Sequence, residues 1–500
     1  MDERELKELR GRIDAVDERL VALFGERMAL SAQIGGYKRA RGLPVRDAAR
    51  EKALLARIRA LAGERGEEAE ALYQTILALS RQAQQQTLRC GLIGKPLGHS
   101  YSPAIHRRLG AYAYRLIELE AEELGAFLQA GDFDGLNVTI PYKKAVIPFC
   151  ARLSDTTKRI GSVNTIVRAP DGSLSGYNTD YDGFLRLFRR SGRSAAGKKA
   201  LVLGSGGASA TVQAALRDLG AAEVVVISRT GENNYVNLYE RHADASILVN
   251  ATPVGMAPHN GTCLVELKRF PALEAVFDLI YNPAKTALLL QAERLGLPAY
   301  NGLPMLAAQA AASSALFTGE AADEATVDRI TEDLERQMKN ILLIGMPGSG
   351  KTTLGAALAR QLGRPFFDSD GELERRAGRD IPTIFREEGE EGFRRREHEL
   401  LVELTRRSGA VIAVGGGAVT RAENLDLLRQ NSRVVWLRRP LSALSTEGRP
   451  LSQSRSIEDL WREREALYRA AADRTADNTG TPEEGVQSIM EALNDESAGH

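Results

Sequence analysis

The chain contains 500 residues, which predicts about three domains at roughly 150 residues per domain. Apolar residues make up 43% of it and charged residues 26%, the composition of an ordinary globular protein, so a wholly disordered or collagen-like chain is excluded. Basic and acidic residues number 66 each, so bulk charge gives no reason to expect a nucleic acid or an anionic membrane as a partner. Any anionic ligand must therefore be held by a local site.

The cysteines and the first residues indicate where the protein resides. Cys90, Cys150 and Cys263 are widely spaced and odd in number, which argues against a disulfide framework and for a reducing compartment. The first ten residues are charged from the second onward and contain no apolar stretch typical of a secretory signal. No later run approaches the ~18 apolar residues that a membrane-spanning helix needs. We therefore expect a cytoplasmic protein.

The pattern of apolar residues divides the chain into four segments. Residues 1–86 hold one proline and place apolar residues at helical spacing, which predicts an all-α segment. Residues 88–320 and 340–500 alternate short apolar strands with helices, which predicts two α/β segments. Residues 321–339 are polar and helical in pattern, so we expect a helical linker there. The expected fold class is multidomain, with an all-α domain before two α/β domains.

The first predicted helix runs from about Glu3 to Lys38, and its length of ~54 Å is too great for a monomeric domain of this size. Arg27 and Lys38 are 11 residues apart and share one helix face. Arg10 precedes Arg27 by 17 residues, or ~25 Å along the axis. Arg10 can therefore share their site only from a second chain, which predicts an intertwined homodimer formed by this segment.

These helices resemble the all-helical class of chorismate mutase over nearly their whole length. A Claisen rearrangement needs only a clamp on two carboxylates and positive charge at the ether oxygen. The resemblance implies that Arg10 and Arg27 clamp chorismate, that Lys38 and Gln84 face the ether oxygen, and that Asp47, Glu51 and Ser80 meet the hydroxyl group, with Arg46 and Arg50 in support. A regulatory or dimerisation module is the alternative interpretation.

A glycine-rich loop in the middle segment predicts a dinucleotide site. The sequence GSGGAS begins at Gly204, follows the strand ALVL and precedes a helix, the context of a dinucleotide fingerprint. The next strand ends in Ser228, Arg229 and Thr230 instead of an acidic residue, and an arginine there suits the 2′-phosphate of NADP. The stretch from Arg229 to Asn250 is short, which predicts a reshaped adenine side.

The motifs GKPLGHSYSPAIH, NVTIPYK, GSVNTI, GYNTD, DLIYNP and NGLPMLAAQAA resemble shikimate dehydrogenase over about 90–318. The resemblance implies a substrate lobe at about 88–190, a Rossmann lobe for NADP at about 191–300, and last helices that return to the substrate lobe. It also implies that NADPH reduces 3-dehydroshikimate. Reducing a ketone needs a proton donor at the carbonyl, and Lys143 paired with Asp180 fits that role. Quinate as substrate, or NAD as cofactor, is the alternative.

The resemblance also implies binding residues. Ser100 and Ser102 would bind the substrate carboxylate, or they could cap the following helix. The substrate hydroxyls would meet Thr139, Asn164, Tyr281 and Gln309, and NADP would meet Gly204, Gly206, Gly207, Ala208, Ser228, Arg229, Thr230, Asn250, Thr252, Gly302 and Met305.

The last segment opens with a phosphate loop. The sequence GMPGSGKT lies between the strand ILLIG and a helix, which is the setting that this motif requires. Its backbone and side chains would hold ATP and Mg²⁺ through Gly345, Gly348, Ser349, Gly350, Lys351, Thr352 and Thr353, with Thr352 as a metal ligand. Lys351 is the only lysine in 340–500, against 22 arginines, which points to a chemical role for it.

The phosphate loop together with FFDSD, GFRRRE and VGGGAV resembles shikimate kinase over most of 340–475. By this resemblance Asp370 deprotonates the acceptor hydroxyl, Asp368 supports Mg²⁺, and Arg449 is the lid arginine. Shikimate would be held by Arg394, Gly416, Gly417 and Arg464. Alternatively, Arg394 and Arg464 lie on helix surfaces. The sequence lacks the arginine that usually precedes the lid and the one at the adenine edge, so the adenine contacts are expected to differ.

Overall fold

The structure is a computed structural model that describes residues 3–41, 43–98, 100–444 and 456–495. The helices are α1 (Glu3–Ala40), α2 (Ala48–Ala62), α3 (Gly66–Gln85), α4 (Ser102–Leu109), α5 (Leu124–Ala130), α6 (Asp155–Ile160), α7 (Thr179–Arg190), α8 (Gly207–Asp218), α9 (Leu238–His242), α10 (Ala287–Arg294), α11 (Leu303–Thr318), α12 (Glu324–Met338), α13 (Lys351–Leu362), α14 (Ser369–Ala377), α15 (Ile381–Leu404), α16 (Ala422–Gln430), α17 (Ile457–Ala471) and α18 (Pro482–Asn494).

The strands form three sheets. They are β1 (Arg89–Gly94), β2 (Ala113–Glu118), β3 (Gly135–Val138), β4 (Arg152–Leu153), β5 (Thr165–Arg168), β6 (Leu174–Tyr177), β7 (Lys199–Leu203), β8 (Glu223–Ile227), β9 (Ile247–Asn250), β10 (Ala275–Asp278), β11 (Ala299–Tyr300), β12 (Asn340–Ile344), β13 (Phe366–Asp368), β14 (Val411–Ala413), β15 (Ser432–Arg438) and β16 (Arg474–Asp477). The chain folds into two compact units, each described here by itself.

The first unit comprises Met1–Ser194, Gly206–Leu219 and Pro304–Ile330. It begins with α1, a helix of 38 residues that agrees with the length predicted from apolar spacing. The helix α2 starts where the Asp47 side chain accepts a hydrogen bond from the Arg50 amide at 3.0 Å, an N-cap. A Cβ atom on Gly35 of α1 would lie 2.7 Å from the Gln84 Cα atom of α3, so glycine allows these two helices to touch.

The first unit also contains a six-stranded mixed sheet in the order β2-β1-β3-β5-β6-β4. Its three central strands β1, β3 and β5 place Ile93, Leu136 and Ile166 in the core with no exposed surface. The helix α11 packs against α7, because a Cβ atom on Gly183 would lie 2.8 Å from the Met305 carbonyl oxygen. The sheet thus positions the loops that follow β3 and β6.

The second unit comprises Ala195–Ser205, Gly220–Leu303 and Thr331–His500 and holds two parallel sheets. Their strand orders are β11-β10-β9-β7-β8 and β13-β14-β12-β15-β16. The strands β9, β10, β12 and β14 are buried along their whole length, as parallel strands covered on both faces must be. In such sheets ligand loops gather at the carboxyl ends of the strands. Among the described residues no helix is long and apolar enough to span a bilayer.

Candidate active sites

The phosphate loop lies between β12 and α13 in the second unit. Gly345, Gly348 and Gly350 have φ values of 147°, 82° and 96°, which only glycine adopts without strain. A Cβ atom on Gly350 would also lie 2.5 Å from the side-chain nitrogen of Asn478. That same nitrogen donates a hydrogen bond to the Ser349 carbonyl oxygen at 2.8 Å. The glycines therefore set the loop conformation, and Asn478 holds it in place.

The metal and phosphate residues predicted from the loop lie next to one another. The Lys351 ammonium group is buried and donates to the carbonyl oxygens of Gly345 at 2.9 Å and Met346 at 3.0 Å. The Thr352 hydroxyl group donates to the Asp368 carboxylate, which also caps α14. A hydroxyl and a carboxylate oxygen are ligands that Mg²⁺ accepts, so this pair fits the cation of a nucleotide complex.

Asp370 lines a cavity of about 470 Å³ together with the phosphate loop. Burial raises the pKa of the Asp370 carboxyl group to about 6, and the nearby carboxylates of Asp368 and Glu397 act in the same direction. A carboxylate with a pKa near neutrality is suited to accept a proton from a hydroxyl group.

The VGGGAV motif, residues 415–417, forms one wall of this cavity. A Cβ atom on its first glycine would lie 2.8 Å from Asp370 Oδ1, one on its second 2.7 Å from Pro347 Cδ, and one on its third against the Arg394 guanidinium group. Each position requires glycine because functional groups approach the backbone closely. The predicted residues Gly416 and Gly417 therefore lie at the cavity with their backbone atoms.

Arg394 and Arg464 both line the cavity and are 6% and 3% exposed. Arg394 donates to Glu397 at 2.7 Å, and Glu397 is 1% exposed. The Arg464 Nε and Glu397 Oε1 atoms have no hydrogen-bond partner among the described residues. The interpretation of these two arginines as helix-surface residues is wrong, since α15 and α17 direct both into the site. Buried polar atoms without partners favour a polar ligand there.

Three residues of this site escaped the sequence analysis. Glu397 follows Arg394 by three residues on α15, a spacing that places both on one helix face. Arg439 lines the cavity and donates to the Gly348 carbonyl oxygen at 3.3 Å, although its segment was expected to lack an arginine before the lid. Tyr468 is fully buried and donates to the Gly416 carbonyl oxygen at 2.5 Å. Arg449, the predicted lid arginine, lies outside the described residues.

In the first unit, the Lys143 ammonium group donates to the Asp180 carboxylate at 2.5 Å. Asp180 is the second residue of α7, and the Asn178 side chain caps that helix by accepting from the Tyr181 amide. The Lys143 carbonyl oxygen accepts from the Val163 amide at 2.8 Å. The motifs NVTIPYK, GSVNTI and GYNTD thus meet at one ion pair.

Asn164 is buried beside this ion pair. Its side-chain oxygen accepts from the Thr179 amide at 2.7 Å, and its nitrogen donates to the Thr179 hydroxyl group at 3.0 Å. Gln309 and Met305 lie on α11, where the Gln309 Cβ atom approaches the position of a Cβ atom on Gly183 to 3.0 Å. Thr139 follows β3 and donates its amide to the Ile93 carbonyl oxygen.

Ser100 and Ser102 lie at the start of α4. The N-cap of this helix is Tyr101, which makes no capping bond with its side chain. The Ser100 hydroxyl oxygen accepts from the Ser102 amide at 3.3 Å, so Ser100 does satisfy one helix amide. The expected capping role therefore applies to Ser100 and not to Ser102, which is buried.

In the second unit, Asn250 and Thr252 meet the loop that begins at Gly204. The Asn250 side-chain oxygen accepts from the Thr252 hydroxyl group at 2.7 Å. A Cβ atom on Gly204, whose φ is 101°, would lie 2.8 Å from the Thr252 methyl carbon. Asn250 also donates to Asp278 at 2.9 Å, and burial raises the pKa of the Asp278 carboxyl group to about 6. Asp278, in DLIYNP, is a further residue that the sequence analysis missed.

The remaining predicted NADP residues are placed as follows. Ser228, Arg229 and Thr230 follow β8, and Arg229 and Thr230 are exposed. A Cβ atom on Gly302 would collide with the Leu279 carbonyl oxygen, so that position needs glycine. Tyr281 follows β10, while Gly206 caps α8 and Gly207 and Ala208 begin it. The described chain between β8 and β9 contains the short helix α9 and no strand, in line with the compression expected there.

The helical segment of the first unit brings most of its predicted residues together. Arg27 on α1 donates to the Ser80 hydroxyl group on α3. Lys38 donates to the Val45 carbonyl oxygen at 2.6 Å. Burial lowers the pKa of the Lys38 ammonium group, and Asp47 and Glu51 partly oppose that shift.

Two features show that this helical site is incomplete. The Gln84 side chain is buried, and its oxygen has no hydrogen-bond partner among the described residues. Arg10 is exposed and lies 17 residues before Arg27 on the same helix. Arg46 and Arg81 both approach Glu51, at 3.7 Å and 3.0 Å. Within one chain, Arg10 is the predicted residue that stays apart.

Comparison with protein families gives three matches in chain order. The family described as chorismate mutase type II matches residues 9–85. The shikimate dehydrogenase substrate binding domain matches residues 92–166. The shikimate kinase family matches residues 347–494.

Individual proteins give the same assignment for the middle of the chain. The shikimate dehydrogenase (NADP(+)) of Thermosynechococcus vestitus is 37% identical over 267 residues, which cover 48% of this chain and 93% of that protein. The enzyme of the same name from Methanopyrus kandleri is 38% identical over 277 residues, covering 49% and 95%. The crystal structure of a chorismate mutase/shikimate 5-dehydrogenase fusion protein from Clostridium acetobutylicum is 35% identical, with a TM-score of 0.47, and covers 49% of this chain and 96% of that one. The chain therefore belongs to the shikimate dehydrogenase family, and it joins that domain to a chorismate mutase domain and a shikimate kinase domain.

Proposed function

We propose that this chain catalyses three reactions of aromatic biosynthesis: NADPH-dependent reduction of 3-dehydroshikimate, phosphorylation of shikimate by ATP, and rearrangement of chorismate to prephenate. The proposed domains are 1–86 for the mutase, 88–320 for the dehydrogenase, 321–339 for a linker and 340–500 for the kinase. The observation that carries the proposal is that separate motifs converge on defined polar groups in each domain, with the Lys143–Asp180 ion pair at 2.5 Å as the sharpest case.

In the dehydrogenase reaction NADPH, when bound, supplies a hydride to the ketone carbon. The Lys143 ammonium group donates a proton to the carbonyl oxygen as it becomes a hydroxyl group. The Asp180 carboxylate holds that ammonium group in place, and Asn164 offers an amide to a substrate hydroxyl group. Asn250 and Thr252 fix the backbone beside the glycine loop at Gly204, where a dinucleotide phosphate fits.

In the kinase reaction the phosphate loop holds ATP, and Thr352 with Asp368 supports Mg²⁺. The Asp370 carboxylate accepts the proton of the shikimate hydroxyl group as its oxygen bonds to the γ-phosphorus atom and ADP departs. Arg394 and Arg464 lie at the same cavity and suit the shikimate carboxylate, because guanidinium groups bind carboxylates through paired hydrogen bonds.

In the mutase reaction Arg27, Lys38 and Gln84 surround the substrate from one chain, and Arg10 is supplied by a second copy. The exposed apolar face of α1 supports this homodimer: Leu9, Ile13, Val16, Leu20, Val21, Leu23, Leu30 and Tyr37 are each more than two-fifths exposed. Such a row of apolar side chains on a 38-residue helix marks a protein interface. The three unpaired cysteines and the balanced charge support a cytoplasmic enzyme of small-molecule substrates, without nucleic acid or membrane partners.

The test uses the full chain. One assay supplies 3-dehydroshikimate, NADPH, ATP and Mg²⁺ and follows NADPH and ADP, and a second supplies chorismate and follows prephenate. All three signals are expected. If NADPH falls and ADP forms without prephenate, and Lys38→Ala changes nothing, the helical domain is a regulatory or dimerisation module instead. If Arg229→Glu leaves the preference for NADP untouched, the assignment of Arg229 to the 2′-phosphate is wrong.

A further inference from the structure

The dehydrogenase and kinase portions of the second unit meet at one short segment, residues 279–286, which we name the docking loop. It begins after β10 and ends at Thr286, the N-cap of α10. Tyr281, the residue expected to bind a substrate hydroxyl group, lies in this loop. The loop therefore joins a predicted substrate residue to the surface of another catalytic domain.

The dehydrogenase holds both ends of the docking loop. The buried Asp278 carboxylate accepts from the Ile280 amide at 3.1 Å and from the Thr286 hydroxyl group at 2.6 Å. The Leu279 amide donates to the Asn250 carbonyl oxygen at 3.0 Å. These bonds fix the ends of the loop and leave the amides of its middle to be satisfied elsewhere.

The kinase domain satisfies the middle of the docking loop. The Ala284 amide donates to the Asn431 side-chain oxygen at 3.2 Å, and the Lys285 amide donates to the Gln430 carbonyl oxygen at 2.7 Å. Asn431 and Gln430 are 1% and 4% exposed. Buried backbone amides require partners, so these two bonds are structural requirements of the loop.

Asn431 is itself held rigidly by the kinase sheet. Its carbonyl oxygen accepts from the Asn340 amide at 2.9 Å, at the start of the central strand β12. Its side-chain nitrogen donates to the Arg407 carbonyl oxygen at 2.9 Å and to the Ser408 hydroxyl oxygen at 3.3 Å. Asn431 therefore presents its oxygen to Ala284 from a fixed position, as a residue that orients another group must do.

We propose that Asn431, a residue of the kinase domain, is a positioning residue of the dehydrogenase: it holds the docking loop through the Ala284 amide and so fixes Tyr281 for the substrate. This inference rests on the proposed dehydrogenase function. It assigns the kinase domain a second role, that of completing the neighbouring enzyme, beyond its own phosphoryl transfer.

The test compares the full chain with Asn431→Ala. In shikimate oxidation with NADP, we expect the KM for shikimate to rise roughly fivefold, the effect of losing one hydrogen bond, while the Kd for NADP stays unchanged. Amide hydrogen exchange across residues 279–286 should become faster, and that measurement needs no activity. An unchanged KM together with unchanged exchange overturns the proposal.

Two further variants separate positioning from general damage. Asn431→Asp keeps an oxygen for the Ala284 amide but loses both donor bonds, so it should restore slow exchange and the shikimate KM while kinase activity stays impaired. Asp426→Asn removes the half-exposed ion pair with Arg294 at the same interface and should change neither quantity. Equal effects of Asn431→Ala and Asn431→Asp, or an equal effect of Asp426→Asn, overturn the proposal. If the wild-type chain does not oxidise shikimate at all, the proposed function fails, and the exchange result still decides whether Asn431 holds the loop.

Discussion

The kinase site and the mutase site use opposite strategies to assemble charged groups. The kinase cavity collects groups from four places in the chain, the phosphate loop, α14, α15 and the glycine wall, all within a single chain. The mutase site has Arg27, Lys38 and Gln84 in place, but Arg10 stands far up the same helix. A parallel sheet brings distant loops to one edge, whereas a straight helix holds its residues apart at 1.5 Å per residue.

The most severe test of the self-contained kinase site is Asp370→Asn. The amide cannot accept the hydroxyl proton, so we expect shikimate phosphorylation to fall by about 10²–10⁴-fold in kcat. Dehydrogenase turnover measured on the same sample is the internal control and should be unchanged. Kinase activity within tenfold of the wild type would exclude Asp370 as the base.

Mixing inactive chains tests the difference between the two sites directly. Arg10→Ala and Lys38→Ala chains should each lack mutase activity. After unfolding together and refolding, they should recover roughly a quarter of wild-type activity, because half of the dimers are mixed and each mixed dimer has one intact site.

The matched control mixes Lys351→Met with Asp370→Asn and measures ADP formation. No recovery is expected there, because both residues must come from the same chain. Recovery in the kinase mixture, or none in the mutase mixture, would reverse the comparison.

The pH dependence of the two activities should differ in direction. The pKa of the Asp370 carboxyl group is raised to about 6, and the base must be ionised, so kinase kcat/KM should fall about tenfold for each pH unit below that value. The pKa of the Lys38 ammonium group is lowered, and the charged form is the useful one, so mutase activity should decline on the alkaline side, below the pH at which an ordinary lysine titrates. Steady-state rates across the pH range measure both limbs.

The smallest effect is expected at the edge of the kinase cavity. Arg439→Lys removes the planar group that donates to the Gly348 carbonyl oxygen, and we expect the KM for ATP to rise roughly fivefold with kcat little changed. Arg438→Lys alters the neighbouring arginine, which is half-exposed and pairs with Asp477, and serves as the matched control. Equal KM values for the two variants would exclude a role for Arg439 at the phosphate loop.

Several features could be predicted from the sequence because they depend on local backbone. The glycines of the phosphate loop mark positions where φ is positive, and the helical spacing of α1 predicts its length to within two residues. The order of the three domains follows from motifs that each occupy one short stretch, and the family matches confirm that order.

Other features were decided only by the tertiary structure, because they join residues far apart in the chain. The burial of Arg394 and Arg464, the approach of Arg439 to the phosphate loop, and the contact of Asn431 with Ala284 each depend on how helices and strands pack. A charged residue on a helix has the same local pattern whether its face meets solvent or a cavity, and only the packed structure separates the two.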